Sequence, residues 1–270
     1  MVALLPPGPS RSALRCCAAA LAASLLLAGA PAHAAFPDEI QVYTDDINKP
    51  GEFGLELHLN TTPRGITTPG YTGEIVNHHG LRLNPEFSWG LSRDWEAGLY
   101  VPVVRSGNGN WYGAGIKLRL KWMPLQPDKD RGGWFAGANA ELSQLGKGFS
   151  ESARSLELRT IAGWRNPDWL LAVNPIFGWS LSDGFRSGTP DFTLALKASR
   201  KVSASLGLGL EYYSEMGPLN RLLPANQQNN TLYLAFDYEG KPFAFNFGIG
   251  RGVSSAADPW TLKGIIEVPF

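Results

Sequence analysis

The stretch of sequence that decides the fold reads Tyr112-Gly113-Ala114-Gly115-Ile116-Lys117-Leu118-Arg119-Leu120-Lys121-Trp122. Its apolar residues, from Ala114 to Trp122, occupy every second position, and Gly115, Lys117, Arg119 and Lys121 occupy the positions between them. Successive side chains of a β-strand point to opposite faces, whereas the side chains on one face of a helix recur about every 3.6 residues. This stretch therefore predicts a strand with one apolar face and one charged face.

The same alternation recurs along most of the chain. The other segments lie near 51–61, 81–91, 94–104, 133–145, 154–165, 168–181, 191–199, 202–213, 230–238, 242–250 and 259–270. The segment 133–145 is the weakest, because its apolar face is mostly alanine. Together with 112–122, these segments predict an all-β chain of about twelve strands.

The lengths of the connections distinguish a membrane barrel from a soluble β-sandwich, which also alternates. Short connections are Leu91–Asp94, Pro124–Arg131, Arg165–Asp168, Arg200–Val202 and Tyr238–Pro242, and the longest of the others are Thr62–His78 and Ser214–Asn229. Outer-membrane barrels have short periplasmic turns and longer external loops. We therefore expect residues 51–270 to form a closed antiparallel transmembrane β-barrel in the bacterial outer membrane.

Tryptophan is concentrated beside three of the short turns. The residues concerned are Trp89, Trp95, Trp122, Trp134, Trp164 and Trp169, which are six of the nine tryptophans. Amphipathic rings gather at the boundary between lipid and water, so this clustering predicts an aromatic girdle on the periplasmic side.

The two ends of the chain carry targeting features. Residues 1–35 have the pattern of a cleaved secretory signal, with Arg11 and Arg15 before the apolar stretch Cys16–Ala30 and then Ala32-His33-Ala34. The mature chain would contain no cysteine, which excludes disulfides and thiolate metal sites. At the other end, the alternating strand that stops at Phe270 resembles the signal recognised by the barrel-assembly machinery.

The ionisable residues at alternate positions are predicted to line the lumen, because a charge facing lipid costs about 2–4 kcal/mol at mid-depth. They are Glu56, His58, Arg82, Glu86, Glu96, Lys117, Arg119, Lys121, Glu141, Glu157, Arg159, Arg165, Lys197, Glu211, Asp237, Lys263 and Glu267. Two interpretations stay open at this point: a polar pathway for solutes, or charges that pair and fill the interior. A constriction is expected either from the periplasmic N-terminal segment, residues 36–50, or from the loop Thr62–His78.

Other classes of function have less support in the sequence. The 24 Lys and Arg residues balance the 24 Asp and Glu residues, so no basic surface for nucleic acid is indicated. Hydrolysis would need a serine activated by a histidine, and the mature chain offers only His58, His78 and His79. No catalytic residue, cofactor or metal site is expected, since adjacent histidines such as His78 and His79 rarely supply a whole metal site.

Two stretches resemble a known family. They are Asp38-Glu39-Ile40-Gln41-Val42-Tyr43 followed by Pro50-Gly51-Glu52-Phe53-Gly54-Leu55-Glu56-Leu57-His58, and Pro85-Glu86-Phe87-Ser88-Trp89-Gly90-Leu91-Ser92-Arg93-Asp94-Trp95-Glu96-Ala97-Gly98-Leu99. Both are similar to proteobacterial outer-membrane proteins of the phenol meta-pathway transporter family. The resemblance covers about the first third of the mature chain. It implies a barrel that moves small, often aromatic or hydrophobic molecules, and it supplies no catalytic residues.

The function expected from the sequence is that of a porin-like channel or transporter for the passive passage of small molecules. Its expected partners are outer-membrane lipids, small solutes and the barrel-assembly machinery. Two alternatives remain open: an outer-membrane lipid hydrolase, and a non-conducting structural or adhesive barrel.

Overall fold

The structure is a computed structural model, and it describes residues 39–128, 130–182, 184–186, 188–240 and 242–268. The predicted signal peptide, residues 1–35, and the predicted assembly residue Phe270 lie outside the described residues. Within those ranges, no helix has the length and hydropathy needed to cross a bilayer.

The regular elements of the described residues are all strands. They are β1 (Phe53–Arg64), β2 (Leu81–Gly90), β3 (Trp95–Tyr100), β4 (Val103–Arg105), β5 (Trp111–Gly113), β6 (Gly115–Leu125), β7 (Gly133–Leu145), β8 (Arg154–Arg165), β9 (Trp169–Ser180), β10 (Asp191–Lys201), β11 (Leu206–Pro218), β12 (Asn229–Glu239), β13 (Ala244–Gly252) and β14 (Trp260–Val268).

Two of the barrel strands are interrupted. β3 and β4 both pair with β2 in one continuous register, with Tyr100 opposite Glu86 and Val103 opposite Leu83. Pro102 lies in the gap and has no N–H group to donate to the ladder. β5 and β6 are separated at Ala114, where the register against β4 and β3 shifts by one residue. Counted as barrel strands, the fourteen segments make twelve, which confirms the predicted number.

The sheet closes on itself. β1 pairs antiparallel with β2 on one side and with β14 on the other, so His58 lies opposite both Asn84 and Ile265. Every other neighbouring pair is antiparallel as well. A closed sheet has no free edge, and it satisfies the backbone hydrogen bonds that lipid cannot.

The exposure pattern of β6 shows which face meets lipid. Leu118 and Leu120 expose 54% and 42% of their surface, whereas Lys117 and Arg119 expose 8% and 7%. A soluble protein would bury the leucines and expose the charges. The inverted pattern places apolar side chains in hydrocarbon and charged ones inside the barrel, as the alternation predicted.

The short connections and the tryptophans share one end of the barrel. Connections 91–94, 126–132, 166–168, 202–205 and 240–243 are the short turns, and 65–80 is the longest connection at the opposite end. Trp95 stacks on Trp122 with ring centroids 5.8 Å apart, and Phe53 stacks on Trp89. Trp134 is 70% exposed at the same level. This arrangement is typical of an aromatic girdle at the membrane boundary.

Candidate functional site in the barrel lumen

The ionisable residues that the sequence assigns to the lumen differ in burial. Eleven are buried: His58, Arg82, Glu86, Glu96, Lys117, Arg119, Lys121, Glu141, Arg159, Glu211 and Lys263. Glu56, Glu157, Arg165, Lys197 and Asp237 are half-buried, and Glu267 is exposed near the end of β14. Their burial on the inner face makes the lumen the candidate functional site.

One group of these charges links the neighbouring strands β2, β3 and β6 on the inner face of the barrel. Arg119 Nη2 lies 2.5 Å from Glu86 Oε1 and 2.6 Å from Glu96 Oε1. Two residues before Arg119 on β6, Lys117 Nζ lies 2.9 Å from Glu141 Oε1. Buried ions need such partners, because removing an ion from water costs several kcal/mol.

A second group lies across β10, β11, β12 and β14. Lys197 Nζ lies 2.7 Å from Asp237 Oδ1 and 3.3 Å from Glu211 Oε1. Lys263 also pairs with Glu211, whose carboxylate accepts a further hydrogen bond from the hydroxyl of Tyr213 at 2.7 Å. The charges of this wall are therefore paired with one another rather than lining it as isolated ions.

Residues 39–50, which precede β1, lie inside the barrel. The backbone N–H of Tyr43 donates to Asn174 Oδ1 at 2.6 Å, and Asn174 Nδ2 donates to the carbonyl of Tyr43 at 3.0 Å. The hydroxyls of Tyr43 and Tyr100 are 2.8 Å apart. We call residues 39–50 the lumen segment. Tyr43 is 3% exposed, so the centre of the lumen segment is fully enclosed by the wall.

Basic residues of the wall donate to backbone carbonyls of the lumen segment. Arg159 Nη1 donates to the carbonyl of Gln41 at 3.1 Å, and Lys263 Nζ donates to that of Ile40 at 3.2 Å. Lys121 Nζ donates to the carbonyl of Asp46. In an extended segment these carbonyls have no partners of their own, so the wall supplies the bonds that a neighbouring strand would supply.

Nearer the short-turn end, a salt bridge holds the lumen segment. Arg165 Nη1 lies 3.0 Å from both carboxylate oxygens of Asp45. Asn48 Nδ2 donates to the hydroxyl of Ser88 at 2.8 Å. The backbone N–H of Gly51 then donates to the carbonyl of Gly90 at 2.7 Å, where the chain turns into β1. The lumen segment therefore lies between the barrel centre and its short-turn end.

An apolar patch on the inner wall packs against the lumen segment. Met123, Phe135 and Ile161 are at most 1% exposed and cluster with Val42 and Tyr43. The alternation rule missed these residues, because it assigns apolar side chains to the lipid face. Their positions in the sequence do identify them. Phe135 is six residues from Glu141 and Ile161 is two residues from Arg159, and side chains an even number of residues apart lie on the same face of a strand.

A cavity of about 840 Å³ remains beside the lumen segment and reaches the short turns. Its lining includes Asp46, Lys49, Arg93, Gln126, Lys201 and Glu239. The lining mixes charges of both signs with polar groups, so the space suits water and small solutes. The lumen is therefore partly filled by the lumen segment and partly open.

The comparisons with known proteins concern the fold. No protein-family model matches the sequence, and no characterised protein matches it either. The COG4313 outer membrane channel from Pseudomonas putida F1 is 11% identical, with a TM-score of 0.59 over 86% of this chain and 100% of that chain. The NanC porin is 13% identical, with a TM-score of 0.51 over 80% of this chain and 98% of that chain. The chain has the fold of an outer-membrane β-barrel.

The longest loop of the barrel, residues 65–80, is fixed at several points. Asp258 accepts hydrogen bonds from the backbone N–H of Ile66 at 2.7 Å and from Asn77 Nδ2 at 3.2 Å. Ile75 packs against Phe149, and its N–H donates to the carbonyl of Gly148 at 2.8 Å. The loop is thus joined to the connections on both sides of it.

The same loop contains a tyrosine with a shifted pKa. Burial, followed by the nearby Glu74 carboxylate, raises the pKa of Tyr71 to about 12. Like a tyrosine with an ordinary pKa, Tyr71 is neutral over the physiological range of pH, so it adds no charge to the long-loop end of the barrel.

Proposed function

We propose that the protein is an outer-membrane channel for the passive passage of small molecules, and that the lumen segment forms its constriction. The observation that supports this most directly is the closed barrel whose interior carries paired charges and a cavity of about 840 Å³. The proposal divides the chain into a signal peptide at 1–35, a periplasmic N-terminal segment at 36–50 and the barrel at 51–270.

Passage in this proposal follows the space between the lumen segment and the wall. The eight acidic and eight basic residues assigned to the lumen balance one another, so little net charge remains along the path as a whole and solutes need not be ions. Size would be limited at Tyr43, where the lumen segment reaches Asn174 and Tyr100. Wider passage would require the lumen segment to leave the wall.

The class of solute is a further part of the proposal. The resemblance to the phenol meta-pathway transporter family implies small aromatic or hydrophobic molecules. The inner apolar patch of Met123, Phe135 and Ile161 is covered by Val42 and Tyr43, and it supports that class because release of the lumen segment would uncover an apolar surface at the constriction. The Pseudomonas putida protein described above is itself a channel, and that likeness of fold supports a channel here.

We also propose that the protein is not an enzyme. His58 Nε2 lies 3.2 Å from Glu86 inside the barrel, where membrane lipid has no access. His78 Nδ1 accepts a hydrogen bond from the backbone N–H of Gly65. Among the described residues, neither side chain is hydrogen-bonded to a serine, which is the contact that an activated nucleophile requires.

Assembly of the barrel adds one partner to the proposal. The strand that ends at Phe270 would be recognised by the barrel-assembly machinery, and β14 is suited to that role because it closes the barrel against β1. We expect a chain that ends before Phe270 to reach the outer membrane in smaller amounts, measured by fractionation of cells.

Planar-bilayer recording tests the channel directly. The protein should give discrete single-channel currents, and a variant that lacks residues 36–48 should give larger ones. Liposome swelling with aromatic and with strongly hydrophilic solutes would then rank the solutes. If neither protein gives a current while circular dichroism shows that the barrel is intact, a structural or adhesive barrel would be favoured. Lipid cleavage that disappears in His58→Gln would favour the hydrolase.

A further inference from the structure

Three ionisable side chains converge at one point of the inner wall. Glu56 and His58 lie on β1, and Glu86 lies directly opposite Glu56 on β2. His58 Nε2 is 3.2 Å from Glu86 Oε2 and 3.8 Å from Glu56 Oε2. One ligand-type atom from each of the three side chains lies within 4.8 Å of the other two.

The environment of this cluster is buried and carries excess negative charge. His58 is 0% exposed and Glu86 is 2% exposed. Like charges placed directly opposite on neighbouring strands destabilise a sheet, so a proton or a cation between Glu56 and Glu86 would stabilise their pairing. Arg119 contacts the carboxylate oxygen of Glu86 that does not face His58, and it also contacts Glu96.

Glu56 and His58 are less fully compensated than Glu86. Glu56 contacts His58 and the amide of Gln41, whose Nε2 donates to Glu56 Oε2 at 3.4 Å. His58 Nδ1 has no hydrogen-bond partner among the described residues, although it is buried. A neutral histidine would therefore leave two carboxylates facing each other with one arginine beside them.

We propose that Glu56, His58 and Glu86 form a binding site for a divalent transition-metal ion of the zinc type. Imidazole nitrogen and carboxylate oxygen are zinc ligands at about 2.0–2.2 Å, and tetrahedral ligands at those distances lie roughly 3.4 Å apart. The distances of 3.2 and 3.8 Å from His58 to the two carboxylates bracket that value. The separation between the two carboxylates is at most 4.8 Å, so they need to approach each other by no more than about 1.4 Å to reach the same value.

The surroundings fit such a site in two further respects. Ligating carboxylates are held by hydrogen-bond partners outside the ligand set, and Arg119 holds Glu86 by the oxygen that does not face His58. Gln41, on the lumen segment, lies against Glu56 and has an amide oxygen that offers a fourth ligand after rotation of the amide. The site itself does not depend on channel activity.

The test uses the whole protein extracted from membranes in detergent and stripped of metal with a chelator. Co²⁺ is the probe, because its visible absorption reports on coordination geometry. We expect one Co²⁺ per barrel, displaced by Zn²⁺. His58→Gln should weaken binding by about a hundredfold or more, since even the loss of a group that only holds a ligand weakens binding by 10–100-fold. Glu56→Gln, at a half-buried position, should weaken it as well.

The matched control is the double variant His78→Gln, His79→Gln. The rings of these two histidines lie edge to face in the loop 65–80, with centroids 3.9 Å apart. Loss of binding in the control with retention in His58→Gln would overturn the proposal in favour of a loop site. No uptake by the unaltered protein at millimolar Co²⁺ would also overturn it, and the cluster would then be an imidazolium held between two carboxylates. The unfolding transition of each variant establishes that the barrel is intact.

Discussion

Asn174→Ala should release the lumen segment from the wall without introducing a charge. The side chain of Asn174 makes two hydrogen bonds to the backbone of Tyr43, at 2.6 and 3.0 Å. A buried hydrogen bond contributes about 0.5–1.5 kcal/mol net, so two of them contribute about 2 kcal/mol. Since about 1.4 kcal/mol corresponds to a factor of ten, the ratio of released to docked segment should rise roughly thirtyfold.

The assay is single-channel recording in a planar bilayer, and the quantity is the ratio of time in the higher-conductance level to time in the lower one. Asn139→Ala is the matched control. Asn139 is also a buried asparagine on the inner wall, and neither atom of its amide is hydrogen-bonded within the described residues. If Asn174→Ala and Asn139→Ala change the ratio equally, or if Asn174→Ala changes it less than about threefold, docking through Tyr43 does not control conductance.

Three other substitutions test separate parts of the structure. Asp45→Asn removes the salt bridge to Arg165, which contributes about 0.2–1 kcal/mol, so the same ratio should rise by up to about fivefold at low salt and hardly at all at 1 M salt. Leu118→Arg places a charge at mid-depth in lipid and should lower the free energy of unfolding in vesicles by about 2–4 kcal/mol, whereas Leu125→Arg at the end of β6 should cost about 0–1 kcal/mol. Asp258→Ala removes both hydrogen bonds that fix the external loop, and limited proteolysis within residues 65–80 should become on the order of tenfold faster.

The fold was predictable because lipid imposes a strict period of two. Each lipid-facing position of β6, from Ile116 to Trp122, must be apolar, while its neighbours are free to carry charge. The interruptions were not predictable in the same way. The alternation continues through 94–104, yet Pro102 cannot donate to the ladder, and the strand is divided there into β3 and β4.

The candidate site was predictable only in its charges. The alternation places Arg119, Glu86 and Glu96 on the inner face of the barrel. Which of these side chains contact one another depends on the register between strands, and the alternation does not specify that register. The sequence offered residues 36–50 as one of two candidates for a constriction, but it did not predict their contacts. Residues 39–50 lack a period, and their contacts with Tyr100 and Asn174 join positions 57 and 131 residues apart in the chain.

The basic residues of the wall explain how a segment can dock in a charged lumen without disturbing it. Arg159 is paired with Glu157, and Lys263 with Glu211, while each also donates to a carbonyl of the lumen segment. An arginine has five N–H donors and a lysine three, so one group serves both partners. Release of the lumen segment therefore breaks these hydrogen bonds and the ionic contacts of Asp45 and Glu39, but it leaves the ion pairs within the wall intact. Because an orphaned buried charge would cost about 3–5 kcal/mol and a lost hydrogen bond only about 1 kcal/mol, this arrangement lowers the cost of release.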